Sequence, residues 1–222
     1  MKNIQMSRIK FKTLCAICGV NPGVTKDHIP PQSLYPRKSR PENLCLNYVM
    51  ACADCNNGAS KDDEKFKIYI GLSTGDCRRD SSEVIDSMAA TLGKNRRLAV
   101  PVFDAKVVYA ALHSSLIRPV MAVTFDFKSF ESVVTRIIKA LYWMETGSPL
   151  GKDVPIKVFP FHSMDADFHK IMEEIMVMLE PKLLNDKTFA YKHHISDDGS
   201  SIWGIQFFGS PQTTTFAYAP SP

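Results

Sequence analysis

Six residues of the chain combine types and spacings that could do chemistry with metals and phosphate. Cys15-Ala-Ile-Cys18 and Cys52-Ala-Asp-Cys55 are two C-x-x-C pairs with 33 residues between them. Each pair can turn two thiolates toward one ion. Two pairs together complete a closed tetrahedral zinc site, which contributes folding energy and leaves no position open for water. A redox role for one pair fits poorly, because neither follows a strand that opens a helix in a βαβ unit. Between the pairs lies Lys26-Asp27-His28-Ile29-Pro30-Pro31. An imidazole titrates near neutral pH, which suits His28 to general-base work. Asp27 beside it carries hard oxygens of the kind that hold Mg²⁺ or Mn²⁺. The same loop continues through Arg37, Lys38 and Arg40 to Asn43-Leu44, and Asn56-Asn57 follow the last cysteine. Each of these residues also has a bland reading. A lone histidine is usually structural, Asp27 could cap a turn, Asn43 and Asn57 are common turn formers, and the basic trio could be a solvated loop.

Taken together, the DHIPP run, Asn43-Leu44 and the Cys-x-x-Cys-Asn ending at Asn56 resemble the HNH endonucleases of the ββα-metal superfamily. The layout is similar to the zinc-knuckle branch that includes phage junction-resolving enzymes. The resemblance covers about residues 10–72, and the last histidine of the family motif is an asparagine here. It implies phosphodiester hydrolysis with His28 as general base and Asn43 orienting its imidazole. Asp27 and Asn56 would hold one catalytic Mg²⁺ or Mn²⁺. That ion would act as Lewis acid on the scissile phosphate and relieve the leaving 3′ oxygen. Neighbours on a strand point to opposite sides, so Asp27 and His28 would address the phosphate from different directions. Zinc on Cys15, Cys18, Cys52 and Cys55 would shape this site without taking part in the reaction. Arg37, Lys38 and Arg40 would contact phosphates of the nucleic acid.

These residues need elements to position them. Residues 1–58 are rich in breakers (Pro22, Gly23, Pro30, Pro31, Pro36, Pro41, Gly58) and show little helical period, so short strands and loops are expected. A helix is expected over about 61–72, and a polar stretch over 73–82 is the best domain boundary. Beyond it, Val84, Ile85, Met88 and Leu92 fit one helix face. Phe130, Val133, Val134, Ile137, Ile138, Leu141 and Tyr142 fit another, ended by Gly147, and Phe168 to Leu179 a third. Strands are expected over 119–127, 156–161, 189–194, 202–208 and 213–218, with a turn at Asp197-Asp198-Gly199. The fold class is therefore α+β. A zinc-stapled ββα-metal module at 1–72 would be followed by a separately folding α+β domain at 73–222 with an antiparallel sheet.

The 222 residues, 45% hydrophobic and 23% charged, exclude a chain disordered throughout. The longest apolar runs, such as 98–103, are far short of the roughly 20 residues a membrane helix needs. No signal-peptide core follows the basic N-terminus. The cytoplasm is the default location, where six cysteines point to metal rather than disulfides. Net charge is +4, and residues 1–71 hold 11 Lys/Arg against 6 Asp/Glu, which suits a polyanion partner. The reading is a metal-dependent endonuclease on nucleic acid, double-stranded DNA ahead of RNA, needing Zn²⁺ and Mg²⁺ or Mn²⁺. Residues 73–222 would select substrate, bind a partner or form a homodimer. The rivals are a non-catalytic zinc-binding nucleic-acid module and an RNA-cleaving or toxin nuclease with the same centre. Cys45 and Cys77 are expected to be inert thiols, and the adjacent pair His193-His194 to diverge across a strand.

Overall fold

The computed structural model describes residues 14–35, 46–74, 79–110, 117–185 and 188–222. Asn43, Arg37, Lys38, Arg40, Cys45 and Cys77 fall outside them. Near the N-terminus, β1 (Thr25–His28) and β2 (Tyr48–Ala51) form an antiparallel hairpin with Asp27 opposite Val49 and His28 opposite Tyr48. A short helix α1 (Ala53–Asn57) and the long α2 (Ser60–Thr74) follow. The helix expected over 61–72 is thus present and one turn longer.

The middle of the chain is helical, then ribbon-like. α3 (Arg79–Lys94) and α4 (Arg96–Phe103) lead into β3 (Lys106–Ala110) and β4 (Arg118–Ala122), an antiparallel pair that forms its own two-stranded sheet. The strand expected over 119–127 ends at Ala122, because Asp126 instead caps the next helix by accepting from the Ser129 N–H. That helix, α5 (Phe127–Thr146), stops at Gly147, whose left-handed φ of 72° closes the C-cap without a Cβ penalty. All seven residues of its 3.6-residue period are buried.

The C-terminal part is a five-stranded antiparallel sheet in the order β5-β9-β8-β7-β6. Its strands are β5 (Lys157–Pro160), β6 (Lys182–Leu184), β7 (Phe189–Ile195), β8 (Ser201–Phe207) and β9 (Thr215–Ala219). Helix α6 (Ala166–Val177) is inserted after β5. Alternation along β8 divides the two faces. Trp203, Ile205 and Phe207 join the main core with α5, while Ile202 packs with Phe216, Met172 and Met176 under α6.

The main core does not respect the boundary expected at 73–82. One buried cluster contains Cys15, Ile29, Val49, Phe66 and Ile70 from the first part and Phe130, Ile137, Trp203 and Phe207 from the second. Phe66 lies between Phe130 and Phe207, with ring centroids at 5.3 and 5.4 Å. A fragment beginning at Ser82 would therefore expose the apolar stripe of α5. It should bind hydrophobic dyes and unfold without a sharp transition, whereas the full chain should melt in one. Two independent calorimetric transitions in the full chain would show instead that each part carries its own core. Among the described residues no helix is long and apolar enough to cross a membrane.

Candidate metal centre and the hairpin beside it

Cys15 and Cys18 sit on a tight knuckle closed by the Leu14–Pro22 bridge and by hydrogen bonds from the Cys15 N–H to Asn21 O (2.8 Å) and the Gly19 N–H to Cys15 O (2.8 Å). Gly19 takes φ +68°, and a Cβ there would meet Pro149 Cγ at 2.8 Å, so both turn and packing require glycine. The Ala16 N–H bonds to Met50 O (2.9 Å), docking the knuckle on β2, from whose end Cys52 and Cys55 follow. The four sulfur atoms lie within 4.8 Å of one another, with Cys18 Sγ and Cys52 Sγ 3.9 Å apart. Tetrahedral sulfurs about 2.3 Å from zinc stand roughly 3.8 Å from each other. The cysteines are unbridged thiols, and the cluster could hold a structural metal such as zinc.

The electrostatics also fit a cation. Burial raises the pKa of Cys15, and burial together with the neighbouring thiols raises that of Cys55. Burial pushes Cys18 up too, but the N–H groups of Asn21 and Val20 outweigh it and bring the thiol to about 7. Four such sulfurs cannot all ionise together unless a positive charge joins them. Asn21 Nδ2 lies 3.9 Å from Cys52 Sγ as a donor in support.

Along β1 the two candidate chemical residues part company. Lys26 and His28 share the outer face with Tyr48; the Lys26 ammonium lies 4.3 Å from the Tyr48 ring centroid, and His28 meets the same ring edge-on at 6.1 Å. Asp27 points the other way and is only 5% exposed. Its Oδ2 lies 3.2 Å from Arg136 Nε, and Arg136 Nη2 reaches Asp63 Oδ1 at 2.5 Å. Burial pushes the Asp27 carboxyl up to about 6 against the pull of Arg136, and Asp63 is raised for the same reason. Asn56, on α1, donates from Nδ2 to Lys26 O (3.1 Å) on the free edge of β1, which leaves its Oδ1 for another partner. Asp27 Oδ2 is buried, and its contact with Arg136 Nε is an ion pair without hydrogen-bond alignment. The Asp27 carboxylate on β1 is thus paired inward with Arg136, and the Asn56 amide on α1 sits at the strand edge; among the described residues only the four cysteines form a metal-ligand cluster.

Three residues that frame this hairpin gave no signal in the sequence. Arg136 and Asp63 come from α5 and α2, and a buried Arg inside an apolar period betrays its partner only once the fold is known. Asn185, between β6 and β7, accepts from the Asn47 N–H (2.9 Å) and donates to Ile29 O (2.8 Å) and Tyr35 Oη (3.2 Å). It fastens both ends of the loop that follows His28. Lys139, one turn beyond Arg136, is also buried, which lowers its pKa against the pull of Asp153, and it donates to Gly151 O and Lys152 O. Elsewhere His193 stacks on Trp203 at 4.9 Å while His194 is exposed, the divergence expected of strand neighbours. Comparison with family models, curated proteins and solved structures returns no match.

Proposed function

We propose that the chain is a metal-dependent phosphodiester hydrolase of the HNH type acting on nucleic acid, with DNA the favoured substrate. The observation that carries this reading is the grouping around β1: His28 on its outer face, Asp27 on its inner face, Asn56 bonded to its edge, and the Cys₄ cluster joining the hairpin to α1. His28 takes the proton of an attacking water, whose oxygen bonds to phosphorus as the bond to the 3′ oxygen breaks. The Lys26 ammonium on the same face adds positive charge where phosphate would approach. Asp27 and Asn56 would hold a divalent ion, which supplies Lewis-acid stabilisation when bound. Zinc would stay structural.

A second reading is favoured by one specific contact. Asp27, buried against Arg136, already has a structural role, and a zinc-stapled nucleic-acid-binding module needs no more than that. Supercoiled plasmid and a structured RNA, incubated with Mg²⁺, Mn²⁺ or no added ion, separate the two. Cleavage should require the added ion, and His28→Ala should lower it by about two to four orders of magnitude with zinc content unchanged. Full activity in His28→Ala, or binding without cleavage in the wild type, moves the assignment to the module. Cleavage confined to RNA moves it to the RNA nuclease.

A further inference from the structure

We propose that α4 and the β3–β4 ribbon form a nucleic-acid-binding arm that enters a groove of duplex DNA. For the class of its partner, the proposal rests on the nucleic-acid reading above. Among the described residues β3 and β4 pair only with each other. The register puts Val107 opposite Met121 and Tyr109 opposite Pro119 on one face; Val107, Tyr109 and Met121 are 60%, 75% and 63% exposed. Phe103 at the end of α4 is 78% exposed. Two-stranded ribbons are marginal alone, and apolar side chains this exposed on one face of an unpartnered ribbon are open to a binding partner.

Charge selects the partner. Residues 94–122 hold five Lys/Arg against one Asp, a net of +4 in 29 residues. Lys94, Arg96, Arg97 and Lys106 are all exposed, and Asp104 is the sole acid. A second copy docked arm to arm would set +4 against +4. A duplex satisfies both halves of the surface, phosphates meeting the cations and groove-facing base edges and thymine methyl groups meeting the exposed apolar side chains. A concavity of ≈ 490 Å³ lies beside α4, where Lys94 and Arg96 meet Val100, Phe103 and Asp104. On the opposite face, Lys106, Val108 and Ala122 are exposed among the described side chains, beside a half-buried Val120. Groove walls contact both faces of a ribbon, whereas a membrane surface buries one. The major groove, about 12 Å wide, admits a two-stranded ribbon, and apolar side chains can wedge between base steps in the minor groove.

The test uses the full-length His28→Ala protein without added divalent ion, so that binding is read apart from cleavage. Fluorescence anisotropy would follow a 30-base-pair duplex, with vesicles containing phosphatidylserine as the competing surface. The triple variant Arg96→Gln, Arg97→Gln, Lys106→Gln should bind the duplex at least about 30-fold more weakly and flatten the salt dependence by about two to three units of slope. Tyr109→Ala should weaken binding about 5- to 100-fold. Both should keep zinc and melting temperature, because the altered side chains are exposed. Unchanged duplex affinity overturns the proposal. So does tighter binding to vesicles than to DNA, or a dimer in sedimentation that Tyr109→Ala dissociates without affecting DNA affinity. Arm-dependent binding by a wild type that never cleaves would sink the hydrolase reading and leave the arm standing. Cleavage by a protein whose arm variants bind normally would do the reverse.

Discussion

Cys52→Ser should strip the chain of its metal and unfold it well beyond the knuckles. Structural zinc in small Cys-rich sites contributes apparent binding free energies of about 10–16 kcal/mol at neutral pH, comparable to or greater than the whole stability of a typical domain at about 5–15 kcal/mol. The hairpin that carries Asp27 and His28 is short, and the Ala16–Met50 hydrogen bond and the sulfur cluster hold it to the first knuckle. Cys15, Cys18 and Cys52 belong to the same buried cluster as Phe66 and Phe130, so their release disturbs the main core. Elemental analysis should give about one zinc per wild-type chain and a large loss in Cys52→Ser, with near-ultraviolet dichroism collapsing alongside. Asn21→Ala, which removes only the donor to Cys52 Sγ, should keep the fold and weaken zinc affinity by about 10- to 100-fold. The site should also lose metal as pH falls, since protons compete for the thiols: burial raises Cys15 and Cys55, and Cys18 is lowered to about 7. A Cys52→Ser protein with full zinc and a wild-type melt would place the metal elsewhere.

What the sequence made legible was local. The α5 stripe, the Asp-Asp-Gly turn between β7 and β8 and the two C-x-x-C knuckles each declare themselves within a few residues, because period, turn chemistry and ligand spacing are short-range properties. Periodicity says that Val134 and Ile137 are buried but not against what. The shared core with Phe66 and Ile70 was therefore invisible, and a polar segment looked like a domain boundary. α4 carries Pro101 inside a helix of eight residues, and β6 has three residues, so neither gave a pattern long enough to read. Asp27 illustrates the limit at the site. Its type and position suggested an open metal ligand, yet its nearest charge is Arg136, more than a hundred residues away in sequence. Asn185 pins Ile29 and Asn47 from farther still.

Arg136→Met should destabilise the protein by about 3–5 kcal/mol at pH 7.5, because it leaves Asp27 buried without its counter-charge and Asp63 without its strongest partner. The pH dependence distinguishes this cause from a simple packing defect. In the wild type the Asp27 carboxyl is raised from 3.8 to about 6, chiefly by burial. The folded state thus keeps this proton to higher pH than the unfolded chain does. Its contribution is fully present below about pH 4 and is lost as pH rises through about 6, a change on the order of 3 kcal/mol. Arg136 is the group that lowers this pKa, so its removal moves the Asp27 transition, and that of the raised Asp63, further upward. The mutant deficit should accordingly be large at pH 7.5 and shrink toward pH 5, where Asp27 is neutral in both proteins. Adding Asp27→Asn to Arg136→Met should recover much of the loss at pH 7.5. Mn²⁺ should raise the melting temperature of Arg136→Met more than that of the wild type, because the two acids then face an ion with no guanidinium between them. Denaturant midpoints over pH 5 to 8, with and without Mn²⁺, measure all of this. A deficit that is flat in pH and not relieved by Asp27→Asn would mean that Arg136 acts through its packed stem alone.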